Sequence, residues 1–229
     1  MANPTYKGKL MKIKANDLEA EAHLALPASG KGPGVLVLHP WWGLNEDIKN
    51  VADRLAAAGF VALAPDLYDG RIATTIEQAE AYSGLMDSDA AETIIKEATQ
   101  RLLAHEACQG PKIGVIGFSL GAMYAVGAAY AQPEQITAVV LFYGAGMLEQ
   151  TDSQASYLGH FAANDPYEDA DYIAQMEQSL KENGRPTTFH SYPNTGHWFF
   201  EPSRPDAYDA EAANLAWQRT VRFLQETLS

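Results

Sequence analysis

Gly117-Phe118-Ser119-Leu120-Gly121 matches the pattern G-x-S-x-G. A serine hydroxyl is a weak nucleophile until a base takes its proton, and the base in turn needs an orienting carboxylate. Chance alone yields the pattern in roughly 6% of chains of this composition, so its context must decide. The motif follows an apolar run, Lys112 to Gly117, and precedes a stretch rich in small residues: Gly121, Ala122, Ala125, Gly127, Ala128 and Ala129. A sharp strand-to-helix turn thrusts a serine outward, and small neighbours let helix and strand pass closely. Ser119 would then sit at a helix N-terminus, where free N–H groups favour developing negative charge. The plain alternative is a strand-to-helix turn with Ser119 as an N-cap.

In this architecture the chain order is serine, acid, histidine. Of six histidines, only His160, His190 and His197 follow the serine. His160 and His190 fall inside expected strands and read as structural. His197 falls in the loop Pro193-Asn194-Thr195-Gly196-His197, after a strand and before the last helix. Asp165 follows the strand Tyr157 to Ala162, whereas Asp152 precedes it, at the wrong end. Asp169 and Asp171 read as first-turn acids of a helix. Ser119, Asp165 and His197 thus form the candidate catalytic set. The oxyanion of an acyl-transfer intermediate needs N–H donors. Leu120, next after the nucleophile, supplies one. The loop His39-Pro40-Trp41-Trp42-Gly43 supplies the second, and since Pro40 has no N–H, Trp41 is the first choice and Trp42 the second. His39 reads as structural.

These residues need a scaffold that brings strand ends together. Val35 to Leu38, Phe60 to Ala64, Lys112 to Gly117, Ile136 to Phe142, Tyr157 to Ala162 and Thr187 to Tyr192 read as strands. Helices are expected from Asn45 to Gly59 and over residues 77–86, 89–106, 120–131, 169–182 and 207–227, the last with Trp217, Val221 and Leu224 facing in. Leu10 to Lys14 and Ala20 to Leu26 read as an antiparallel hairpin at a sheet edge. Alternating buried strands and helices imply an α/β fold: a mostly parallel sheet covered on both faces, in one domain over residues 1–229. Ligands of such sheets bind beyond the carboxyl ends of the strands, where all three candidate residues fall.

Composition narrows the function classes. Sixteen basic against 29 acidic residues give a formal net charge of −13, which repels phosphate backbones and anionic lipid. The single cysteine, Cys108, excludes an internal disulfide and a multi-thiolate metal site. The first sixteen residues hold no apolar signal core, and the run Val35 to Leu38 is far too short to span a membrane. The expectation is a cytoplasmic monomer with no metal, no cofactor, no nucleic-acid partner and no membrane partner, acting on a small molecule.

The sequence resembles the dienelactone hydrolase family of α/β-hydrolases over nearly its whole length. The resemblance is carried by His39 to Asn45, Pro65-Asp66-Leu67-Tyr68, the Gly117 to Gly121 elbow, Phe142-Tyr143-Gly144, Asp165-Pro166 and Tyr192…Gly196-His197-Trp198-Phe199. It implies a single-domain hydrolase without a large lid, acting on small esters or lactones without a cofactor. Its triad carries over to Ser119, Asp165 and His197, and its oxyanion donors to Leu120 and Trp41. Three departures follow from the family pattern. The nucleophile is Ser119 where the enzymes that name the family use cysteine. Pro40 stands where they have a thiol-activating glutamate, which a serine activated directly by His197 does not need. Of the two family arginines that hold a substrate carboxylate, one shifts to Arg71 and the other is replaced by Glu201, which would repel an anionic substrate. Trp42, Arg71, Tyr143, Trp198 and Phe199 are the expected substrate-binding residues; Trp41, Trp42, Tyr143, Trp198, Phe199 and Phe200 read as an aromatic wall suited to neutral acyl or aryl esters, with core packing the alternative for Trp42, Phe199 and Phe200. The same triad also supports acyl transfer or perhydrolysis, and a non-catalytic binding module is the alternative from another class.

Overall fold

Lys12 and Lys14 alternate with Ile13 and Ala15, and this alternation builds the first hairpin of the computed structural model, which describes residues 8–150 and 153–228. β1 (Lys9–Ala15) and β2 (Leu18–Ala25) pair antiparallel with Ala15 opposite Leu18, and Asn16 turns the chain at φ 55°. Ile13 and Ala15 are buried while Lys12 pairs with Glu19 at the surface.

The chain divides between Ile113 and Gly114 into two compact units. In the first, the strand order is β1-β2-β4-β3, with β3 at Gly32–Leu38 and β4 at Val61–Pro65. β2 and β4 are antiparallel, and β3 and β4 are parallel. Val35 to Leu38 have no exposed surface, as continuous apolar strands require when helices cover them. α1 (Glu46–Ala57) starts where Asn45 accepts from the Ile48 N–H at 3.1 Å, and it buries Ile48, Val51, Ala52 and Leu55. α2 (Ile76–Leu85) is capped by Thr75, and α3 (Ser88–Ala104) buries Ile94, Ile95, Ala98 and Leu102. β5 (Cys108–Phe118) begins four residues earlier than the expected Lys112, running through Gly110-Pro111. Gly34 explains the fit of this extension, since a Cβ there would lie 2.8 Å from the Cys108 Sγ.

In the second unit the order is β5-β6-β7-β8, with β6 at Ile136–Phe142, β7 at Ser156–Ala162 and β8 at Thr187–Tyr192. β6, β7 and β8 run parallel. α4 (Leu120–Ala131) and α6 (Ala210–Leu228) pack on β6, and α5 (Ala170–Glu182) packs on β8. A short 3-10 turn, Leu148–Gln150, had no expected counterpart. α6 starts three residues later than expected because the Asp209 carboxylate accepts from the Ala212 N–H at 2.8 Å and caps the helix there. Its buried stripe is Ala212, Ala213, Ala216, Thr220 and Leu224, whereas Trp217 and Val221 are only half-buried. On the sheet side, Gly114 leaves room for Leu224 of this stripe. A Cβ on Gly114 would sit 2.9 Å from a Leu224 methyl.

The result is an α/β architecture of mostly parallel strands, with antiparallel pairing at the N-terminal edge. Among the described residues no helix is long and apolar enough to cross a membrane. Asp152 lies outside the described residues.

Candidate active site

The site is built in the second unit from three strand ends. After β5 the backbone reverses at Ser119, whose φ of 50° and ψ of −116° are strained for a residue with a Cβ. Gly117 permits the turn, because a Cβ there would collide with the Gly121 carbonyl. The Ser119 side chain makes no capping bond to the helix that follows. Its Oγ lies 2.8 Å from His197 Nε2 instead. The N-cap alternative therefore does not describe this serine. Leu120 opens α4, so its N–H is among the first four of the helix, which have no partner within it.

Asp165 follows β7 and His197 follows β8, and backbone bonds tie the two loops together. The Ala163 N–H donates to Tyr192 O and the Asn164 N–H to Thr195 O, both at 3.0 Å. His197 Nδ1 lies 2.9 and 2.8 Å from the two Asp165 oxygens. A carboxylate only accepts, so Nδ1 carries the proton and Nε2 is left to accept from Ser119. Both side chains are nearly sealed, at 3% and 4% exposure. The Tyr167 N–H donates to Asp165 Oδ1 at 2.9 Å and fixes the carboxylate plane. Two phenol rings pack at a tilt against the imidazole, Tyr143 at 5.0 Å and Tyr167 at 4.9 Å. Glu168 brings a second carboxyl to this loop. Burial, reinforced by the charge of Asp165, pushes it up to about 7, against a bond from the Ala145 backbone.

The aromatic residues divide. Tyr143 and Phe199 are fully buried, and the buried Phe200 ring packs at a tilt against Phe118 and Phe142, so all three pack in the core rather than line an open wall. Trp198 is half-buried, at φ 66°, edge-on to His197. Glu201 does not face outward: it is 1% exposed, and the Tyr143 hydroxyl donates to its Oε1 at 2.8 Å. Sequence reasoning missed the contribution of Tyr167, Glu168 and the Tyr143–Glu201 pair. Tyr167 was legible only through its place in the loop after Asp165-Pro166.

Within the first unit, the loop after β3 is pinned by His39. A carbonyl only accepts, so His39 Nδ1 donates to Pro40 O at 2.7 Å, while Nε2 accepts from the Leu67 N–H at 3.0 Å. The imidazole is thus neutral, consistent with burial lowering its pKa. Trp42 is buried, Trp41 half-buried, and their rings meet at 5.4 Å. Arg71 is exposed, 4.0 Å from Asp69, beside a cavity of about 100 Å³ also lined by Lys49 and Asp66.

The dienelactone hydrolase family model matches residues 20–228. "Protein usf" of Aquifex pyrophilus is 31% identical, over 97% of this chain and 100% of its own length. The carboxymethylenebutenolidase of Rhodococcus opacus is 28% identical over 88% and 84%. In fold, the chain is similar to a dienelactone hydrolase-like promiscuous phosphotriesterase from metagenomic libraries. The TM-score is 0.86 at 23% identity, covering 97% of this chain and 98% of the other. With a hydroxyl, an imidazole and a carboxylate joined beyond the ends of β5, β8 and β7, and with the family match spanning nearly all of the sequence, this chain belongs to the dienelactone hydrolase family.

Proposed function

We propose that this protein hydrolyses small, uncharged carboxylic esters or lactones by a two-step acyl transfer through Ser119. The observation that carries the reading is the continuous bonded series from Ser119 Oγ to His197 to Asp165. Ser119 Oγ attacks the carbonyl carbon as its proton passes to His197 Nε2. Asp165 holds the imidazole in the required tautomer and balances its positive form. The Leu120 N–H binds the oxyanion. The intermediate collapses, and the departing alkoxide takes the proton from His197. Water then attacks the acyl-serine with His197 as base, which releases the acid and restores the serine. No cofactor is required.

Ser119→Ala should lower kcat on p-nitrophenyl acetate by at least about 10⁴-fold, with its melting temperature almost unchanged. Asp165→Asn should cost about 10³- to 10⁴-fold through the wrong tautomer. Parental turnover in Ser119→Ala would overturn the reading, and mild kinetics in Asp165→Asn would mean another acid.

A further inference from the structure

Glu201 is a carboxylate buried to 1% exposure, which is costly unless it does something specific. Its Oε1 accepts the hydroxyl proton of Tyr143 at 2.8 Å, and Tyr143 has no exposed surface. Each partner belongs to a different arm of the site. Glu201 lies in the turn that carries His197: its N–H donates to Trp198 O at 2.9 Å, and Trp198 itself is held at φ 66°. Tyr143 directly follows β6, at a φ of 35° that a residue with a Cβ rarely adopts, and its N–H donates to His160 O at 2.8 Å. The next residue, Gly144, lies directly beneath the nucleophile. A Cβ there would come within 2.5 Å of Ser119 O and 2.8 Å of Ser119 Cα. The Tyr143 ring also packs against the His197 ring at 5.0 Å.

We propose that the Tyr143–Glu201 hydrogen bond is a tether that fixes the His197 turn in register with the Ser119 elbow, so that both are positioning residues for the reaction. This deepens the hydrolase reading and rests on it. The carboxylate acts through Tyr143 and touches no substrate. Buried polar pairs are best attested as devices that set register, which is the role assigned here. Register matters because a misplacement of roughly 1 Å between reacting groups costs about a hundredfold in rate.

Three variants and two readouts test the tether. Tyr143→Phe keeps the ring and removes the donor. Its kcat should fall roughly 10- to 100-fold, with KM held within about threefold. Glu201→Ala removes the acceptor and should match it. Glu201→Gln keeps an acceptor oxygen for the phenol and should recover kcat to within about threefold of the parent. The second readout is the proton resonance of His197 Nδ1–H, which should stay sharp in the parent and in Glu201→Gln and broaden in Tyr143→Phe and Glu201→Ala. A purely structural role would lower the melting temperature but leave kcat and this resonance unchanged in folded protein. That result overturns the tether, as does a Glu201→Gln variant as impaired as Tyr143→Phe. If the parent shows no Ser119-dependent hydrolysis while the resonance still responds as described, the hydrolase reading falls and the tether stands.

Discussion

Ser119 occupies a backbone conformation that only a tightly built surround can hold, and much of that surround is glycine. Gly117 yields to the Gly121 carbonyl on one side, and Gly144 yields to Ser119 on the other. Gly144→Ala would therefore push a methyl into the backbone of Ser119 and against the Ala122 Cβ. The expected outcome is a drop in kcat of roughly a hundredfold, with KM little changed, in steady-state assays on a neutral ester. Wild-type kcat would mean that the elbow yields freely. At this scale the serine, the aspartate and the histidine were legible in the sequence, because each residue type has a specific chemistry and each falls just after a strand. The surround was not. A carboxylate at 201 reads as a group facing substrate, and nothing in a linear sequence says that a phenol 58 residues earlier will take it inward.

Elements carry the site by their ends, and β7, β8 and α6 are locked by a polar network beneath it. Arginine can only donate, so Arg219 gives a hydrogen bond to the Tyr192 hydroxyl at 3.0 Å. The Tyr192 hydroxyl is hydrogen-bonded to His160 Nδ1 at 2.9 Å, and His160 Nε2 to Thr220 Oγ1 at 3.0 Å. His160 is fully buried, which disfavours its charged form. Burial, then the charges of His190 and Arg219, push its pKa well below the ordinary value. The unfolded chain binds a proton there near pH 6.5 and the folded one does not. Stability from this group is therefore complete above about pH 6.5 and is lost as pH falls below it. Urea unfolding of the wild type between pH 7 and 5 should show this loss, and His160→Gln should reduce the proton linkage by about one. An unchanged slope would mean that His160 is charged in the fold. Element types and order were legible because apolar runs and caps mark them: β6, β8 and α4 have the bounds the sequence suggests. The misreadings have local causes. The Asp209 cap delays α6, and the helix turns Ala212, Ala213, Ala216, Thr220 and Leu224, rather than Trp217, into its buried stripe.

Over the whole molecule the dominant long-range property is a formal net charge of −13. Such a field lowers the local concentration of anionic substrates and is screened by salt. An ester carrying a free carboxylate should show a higher KM than its uncharged isostere, and the gap should narrow as ionic strength rises from about 10 to 200 mM. A lower KM for the anion at low salt would point to a dedicated carboxylate-binding group. The charge balance and the α/β class were legible from composition and alternation, whereas which aromatic residues are sealed in the core depends on packing that no local pattern encodes. The proposed activation of Ser119 by its neighbours is tested by covalent labelling with a fluorophosphonate, read by intact mass and mapped by peptide sequencing. A single adduct on Ser119, abolished in Ser119→Ala and strongly slowed in Asp165→Asn, is the predicted result; a folded protein that takes up no label at Ser119 would contradict it.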